Sequence, residues 1–83
     1  MDNILVEIYL PAANRSYDVY IPLKSKLHEV LALLSLMLTE LSGGYFAASD
    51  DTIICDKATG MALNINMSAE ELGLRNGAKM MLI

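Results

Sequence analysis

Residues 26–41 read KLHEVLALLSLMLTEL, and this stretch decides the fold. Leu27, Val30, Leu31, Leu34, Leu38 and Leu41 recur at spacings of three and four, which places them on one stripe of an α-helix. Ser25 stands where an N-cap is expected. Gly43, just past the stripe, suits a left-handed C-cap. The helix is apolar beyond its stripe. At about 100° per residue, Leu33 and Leu36 fall on the opposite side, beside Glu29 and Glu40. A single amphipathic helix must bury its stripe against another layer, so the flanking sequence has to supply one.

Upstream, residues 4–10 alternate. Ile4, Val6, Ile8 and Leu10 share one face; Leu5, Glu7 and Tyr9 share the other. Residues 11–16 hold Pro, Asn and Ser and read as a turn. Residues 17–21 alternate again, Tyr17, Val19 and Ile21 against Asp18 and Tyr20. The two runs predict an N-terminal β-hairpin, closed by Pro22, which cannot donate to a ladder.

Downstream, residues 44–51 read as a loop and residues 52–55 as a short β-branched strand. A turn over 57–60 and a brief strand over 61–63 follow. Ser68 and Glu71 have capping-box spacing, flanked by Met67 and Leu72 as a staple, and Gly73 ends that single helical turn. Asn76-Gly77 marks a second turn, and residues 78–83 form the last strand, with Met80 and Leu82 on one face. The expected core sets Leu27, Val30, Leu31, Leu34 and Leu38 against Val6, Ile8, Val19, Ile21, Ile53, Leu63, Met80 and Leu82. This order predicts an α+β fold in one domain, residues 1–83, with a mixed sheet packed on one face by a single long helix.

Composition limits the function classes. A chain of 83 residues has room for one domain, and a domain this small buries only about 60% of its unfolded surface. With 54% hydrophobic residues, apolar side chains are expected to remain on the surface, where such patches mark contacts with other proteins. The net charge is −4 and the six basic residues are scattered. Nucleic-acid binding needs a basic stripe, so this balance argues against it and against charge-driven binding to anionic lipid. The one cysteine, Cys55, allows no internal disulfide and reads as a buried structural thiol. The start, Met1-Asp2-Asn3, is acidic where a secretory signal is basic. Glu40 and Gly43-Gly44 interrupt the most membrane-like window, residues 30–49, leaving it too short to cross about 30 Å of hydrocarbon. A cytoplasmic protein without membrane insertion is expected.

Convergent acid, base or nucleophile groups, which catalysis needs, are not visible. His28 reads as a solvated helix residue. Asp50, Asp51 and Asp56 lack the ligand spacing of calcium loops. Residues 73–79 resemble a phosphate loop superficially, but with the wrong spacing and ahead of a strand instead of a helix. No catalytic, cofactor or metal site is expected. The candidate surfaces are instead protein-binding: Leu33 and Leu36 on the outer face of the helix, and the open face of the sheet. If the strand parities hold, Leu5, Tyr9, Tyr20, Ile54, Lys79 and Met81 project from that face. Tyrosines there supply large contact area with a polar tip.

The sequence resembles the ubiquitin superfamily, and most of all the YukD family of small bacterial ubiquitin-like proteins associated with type VII (ESX-type) secretion. The residues that carry the resemblance span nearly the whole chain. They are the hairpin followed by Ile21-Pro22, the Leu27-rich helix, Thr59-Gly60 with Leu63, and the ending Ala69-Glu70-Glu71-Leu72-Gly73-Leu74-Arg75-Asn76-Gly77 followed by Met80 and Leu82. The resemblance implies a β-grasp fold and a binding role without catalysis. Its implied partner is a membrane or ATPase component of the secretion system; homo-oligomerisation is left open. Ubiquitin meets its receptors through the corresponding open sheet face. One departure bears on mechanism. Conjugating ubiquitin-like proteins and sulfur carriers use a C-terminal Gly-Gly, whereas this sequence stops at Met80-Met81-Leu82-Ile83. Attachment through the C-terminus is therefore expected to be closed, unless these residues are a fragment of a longer chain. A sulfur-carrier-like protein and a detached domain of a larger membrane protein are the alternatives.

Overall fold

The computed structural model describes residues 2–83. The alternating N-terminal runs pair as β1 (Asn3–Leu10) and β2 (Arg15–Pro22), an antiparallel hairpin in which Val6 faces Val19 and Leu5 faces Tyr20. Alternation decides burial: Ile4, Val6, Ile8 and Leu10 are all in the core. The turn between the strands is closed by the Ala13 N–H donating to the Leu10 carbonyl at 3.1 Å, with Asn14 in the left-handed region at φ 50°. Asparagine tolerates that conformation better than most residues.

The helical stretch forms α1 (Leu27–Leu41), which buries Leu27, Val30, Leu34 and Leu38. Leu31 packs at the margin of the core, and Leu41 does not join it: at the last position of the helix it is 52% exposed. The N-terminus also departs from expectation. Lys26, not Ser25, is the N-cap, and no side chain caps the first turn. Backbone carbonyls do so instead: Met67 O accepts from the Leu27 N–H at 2.9 Å and Ile65 O from the His28 N–H at 3.0 Å. A tertiary contact thus satisfies donors that a helix start leaves free. The C-terminus closes locally, as Gly43 predicts. Gly43 takes φ 65°, its N–H donates to Glu40 O, and the Gly44 N–H donates to Thr39 O, both at 3.0 Å. This paired arrangement is a Schellman motif.

Between α1 and the next strand the chain is held by one aromatic. Phe46, absent from the expected core, is 3% exposed, and its N–H donates to Ser42 Oγ at 3.0 Å. β3 (Ile54–Asp56) starts later than residue 52 and has the opposite parity to that expected. Ile54 pairs with the buried Leu82 and lies in the core, while Ile53 is 45% exposed. Residues 61–63 form no strand beyond an isolated Cys55–Ala62 bridge, and Met61 is exposed. The Ser68–Glu71 capping box is present in both directions. The Glu71 N–H donates to Ser68 Oγ at 3.1 Å, and the Ser68 N–H donates to Glu71 Oε1 at 3.0 Å. It closes a single turn, as expected.

β4 (Ala78–Leu82) runs parallel to β1, with Val6 beside Ala78 and Tyr9 beside Met81. The Asn76-Gly77 turn sets this register. Asn76 Oδ1 accepts from the Leu5 N–H and the Leu5 carbonyl accepts from the Gly77 N–H, each at 2.8 Å. The sheet order is β2-β1-β4-β3, mixed in direction, with α1 supplying the other side of the core.

Candidate functional site

The three strand registers decide what the uncovered face of the sheet presents. Leu5 stands opposite Tyr20 and Glu7 opposite Asp18. Glu7 also lies beside Lys79 and Tyr9 beside Met81 across the parallel pair, and Met81 faces Cys55. Tyr20 is the most open of these at 71% exposure; Leu5, Tyr9 and Met81 are half-buried. Tyr9 and Met81 are therefore neighbours, while Tyr20 sits with Leu5 further along β1. Charged Glu7, Asp18 and Lys79 separate the two apolar pairs.

Electrostatics tie down the Tyr9 end. Lys57 Nζ lies 4.8 Å from the centre of the Tyr9 ring and 3.8 Å from Glu7 Oε2. The Tyr9 hydroxyl donates to Asn14 Oδ1 at 3.0 Å. A cation over the ring face and a committed hydroxyl hold this tyrosine in place, whereas Tyr20 is free to meet a partner.

Ile54 does not belong to this face. It is fully buried on the helix side, because its ladder partner Leu82 points into the core. The position expected of it is taken by Cys55, whose thiol is free and buried. Leu33 and Leu36 are exposed at 64% and 73%, on the far side of the molecule from the sheet face. Sequence reasoning passed over Met37, Leu41 and Tyr45, which add to the exposed apolar surface. Met37 borders the buried stripe, and Leu41 continues it past the point where the sheet can cover it.

The weaker chemical candidates resolve into local structure. Asp56 Oδ2 accepts from both the N–H and the hydroxyl of Thr59 at 3.0 Å, so this carboxylate serves a turn. Gly73 and Gly77 adopt φ 74° and 88° in turns. Among the described residues, no group of three or more His, Cys, Asp or Glu side chains converges as metal ligands would. No helix is long and apolar enough to cross a membrane among them. One carboxylate is perturbed: the Ser68 N–H, and then Lys26 at 3.4 Å, hold the Glu71 carboxyl below its ordinary value.

A hairpin, a long helix laid across a mixed sheet, and two terminal strands paired in parallel at its centre define the ubiquitin-like β-grasp fold. Solved structures agree. The ubiquitin-like domain of the type VII secretion system protein EccD1 of Mycobacterium tuberculosis superposes with a TM-score of 0.80 at 17% identity, covering 100% of this chain and 99% of that one. Ubiquitin of Caldiarchaeum subterraneum gives 0.75 at 19% identity, over 99% and 92%. A chain of an ESX-5 inner membrane complex gives 0.73 at 15% identity, over 100% of this chain and 21% of that one. No protein-family model and no curated protein matches the sequence.

Proposed function

We propose that this chain is a non-conjugated ubiquitin-like adaptor or accessory domain of a bacterial type VII secretion system, as in the YukD family, acting by protein–protein binding in the cytoplasm. The observation that carries this reading is the end-to-end correspondence with the EccD1 ubiquitin-like domain. The uncovered sheet face supports it with a fully presented Tyr20 beside Leu5, and Met81 beside Tyr9. Aromatic side chains concentrate binding energy in interfaces. The partner in this reading is a membrane or ATPase component of the secretion system. A second reading, a ubiquitin-like domain of a larger membrane protein, is favoured by the ESX-5 match, in which the corresponding span is 21% of the neighbour's chain.

The test uses two matched double variants against the purified cytoplasmic parts of the secretion system's membrane and ATPase components. Tyr20→Ala with Met81→Ala is expected to lose binding by more than tenfold while melting as one cooperative transition. Leu33→Ser with Leu36→Ser is expected to bind as wild type. Binding unchanged in the first variant, or lost only in the second, sinks the sheet face as the docking surface. No binding by the wild-type chain to any component removes the secretion reading itself.

A further inference from the structure

The two edges of the sheet differ in what their backbone groups do. At the β3 edge the strand has three residues, and the segment after it lies alongside: Cys55 bridges Ala62 and the Leu63 N–H donates to Ile54 O at 2.9 Å. The β2 edge has eight residues, and among the described residues it pairs with β1 alone. The Leu5 backbone groups bond toward Asn76 and Gly77, on the β4 side. Alternation along a strand then directs those of Ile4, Val6 and Ile8 toward β2, where Ile21, Val19 and Tyr17 answer them. The N–H groups of Ser16, Asp18 and Tyr20 therefore point out of the sheet. Natural edges are blunted by shortness, bulges, lysine or a covering segment; the β3 edge is so treated, and the middle of β2 has none of these.

An apolar line overhangs this same edge. His28, Ala32 and Ser35 lie on one flank of α1, in a shallow depression shared with Ser49, Thr52 and Ile65. That loop continues to Ile53, which bonds Ile83 at the β3 side of the sheet. The opposite flank carries Leu33, Met37 and Leu41, each four residues from the next and all exposed. It lies on the β2 side, where the Tyr17 hydroxyl donates to the Leu41 carbonyl at 3.1 Å. Free strand donors beside an apolar ridge fit an added strand, whose alternate side chains would reach the ridge.

Charge selects the occupant. Asp18, Glu29 and Glu40 are exposed near this edge and ridge, and among the described residues none enters an ion pair. Arg15 stands at the hairpin end, while Lys24, beyond Pro22, pairs with Asp2. A second copy would bring another net charge of −4 and set these acids against their like. We propose that the β2 edge and the Leu33–Met37–Leu41 flank of α1 form a docking site for an extended polypeptide segment with apolar residues at alternate positions and Lys or Arg between them. This site is separate from the open sheet face and does not depend on the secretion reading.

The probe is an eight-residue peptide alternating Val or Ile with Lys or Arg, with a scrambled peptide of equal composition and a Glu-for-Lys version as controls. It is titrated into the full chain while amide exchange is followed by NMR. The expected result is saturable binding with new protection at the Ser16, Asp18 and Tyr20 amides, weakened by salt and not shared by either control. Asp18→Pro, which removes the central outward donor, is expected to weaken binding at least tenfold. Asp18→Asn, which keeps the donor, is expected to weaken it severalfold less. Met37→Lys, at an exposed site that does not threaten folding, is expected to weaken binding at least tenfold. No binding at about 1 mM peptide, equal binding of the controls, or protection confined to the open sheet face overturns the proposal. So does a wild-type dimer in sedimentation that Asp18→Pro dissolves, because the edge would then belong to a second copy.

Discussion

Residues 3–41 and residues 42–83 are built on different principles. The first stretch is two eight-residue strands and a fifteen-residue helix, whose backbone bonds lie largely inside regular elements. Up to β4, the second contains one regular element, the three residues of β3. Individual atoms hold it: Ser42 Oγ under Phe46, Asp56 Oδ2 in its turn, the Ser68–Glu71 box, and Asn76 Oδ1 on Leu5. Repetition spreads stability over many side chains, whereas pinning places it on a few. The first half should therefore respond to losing apolar volume, and the second to losing single contacts.

The strongest way to break this contrast is a pair of truncations. Leu34→Ala should cost about 2–5 kcal/mol and Phe46→Ala about 3–5 kcal/mol in urea denaturation. A Phe46 cost below about 1 kcal/mol would mean that the loop is not anchored by its aromatic. A smaller effect sharpens the contrast. Ser68→Ala should lower stability by about 1 kcal/mol and speed exchange of the Glu71 amide without changing exchange in β1. If the Glu71 amide is unaffected, the capping box is not what closes that turn.

The smallest effect is a pH dependence. Glu71 is held below its ordinary pKa, first by the Ser68 N–H and then by Lys26. A carboxylate depressed on folding contributes stability above its unfolded pKa of about 4.3. That contribution is lost as pH falls through the lower folded value. Glu71→Gln keeps an acceptor for the Ser68 N–H and removes the titration. The wild type should exceed this variant in stability most at neutral pH, and the gap should narrow as the pH falls through that window. A gap that stays constant down to acid contradicts the assignment.

The same contrast explains which parts were legible from sequence. Alternation over eight residues overdetermines the parity of β1, and fifteen helical residues fix a stripe, so the hairpin, the helix and the exposure of Tyr20, Leu33 and Leu36 follow. Three consecutive apolar residues, Ile53-Ile54-Cys55, carry no alternation. Which isoleucine faces the helix is set by pairing with Leu82, a contact that sequence spacing does not encode. Phe46, the only phenylalanine, gave a signal as a lone large aromatic among Gly, Ala and Ser. The capping of α1 by Met67 and Ile65 carbonyls gave none, because backbone groups look alike in every sequence. The free edge of β2 was equally hidden, since it exists only once β4 has chosen the other side of β1.

That choice has a mechanical consequence. β1 and β4 lie side by side and parallel in the middle of the sheet. Tension drawn between residues 3 and 82 pulls these two strands past one another along their length. The rungs from Val6–Ala78 to Tyr9–Met81 are then loaded together in shear. A hairpin opened from its free ends, as β1 and β2 would be, instead releases its rungs one after another. Wired in this way, the domain yields to stretching at its centre and as a unit, and transmits force before it gives.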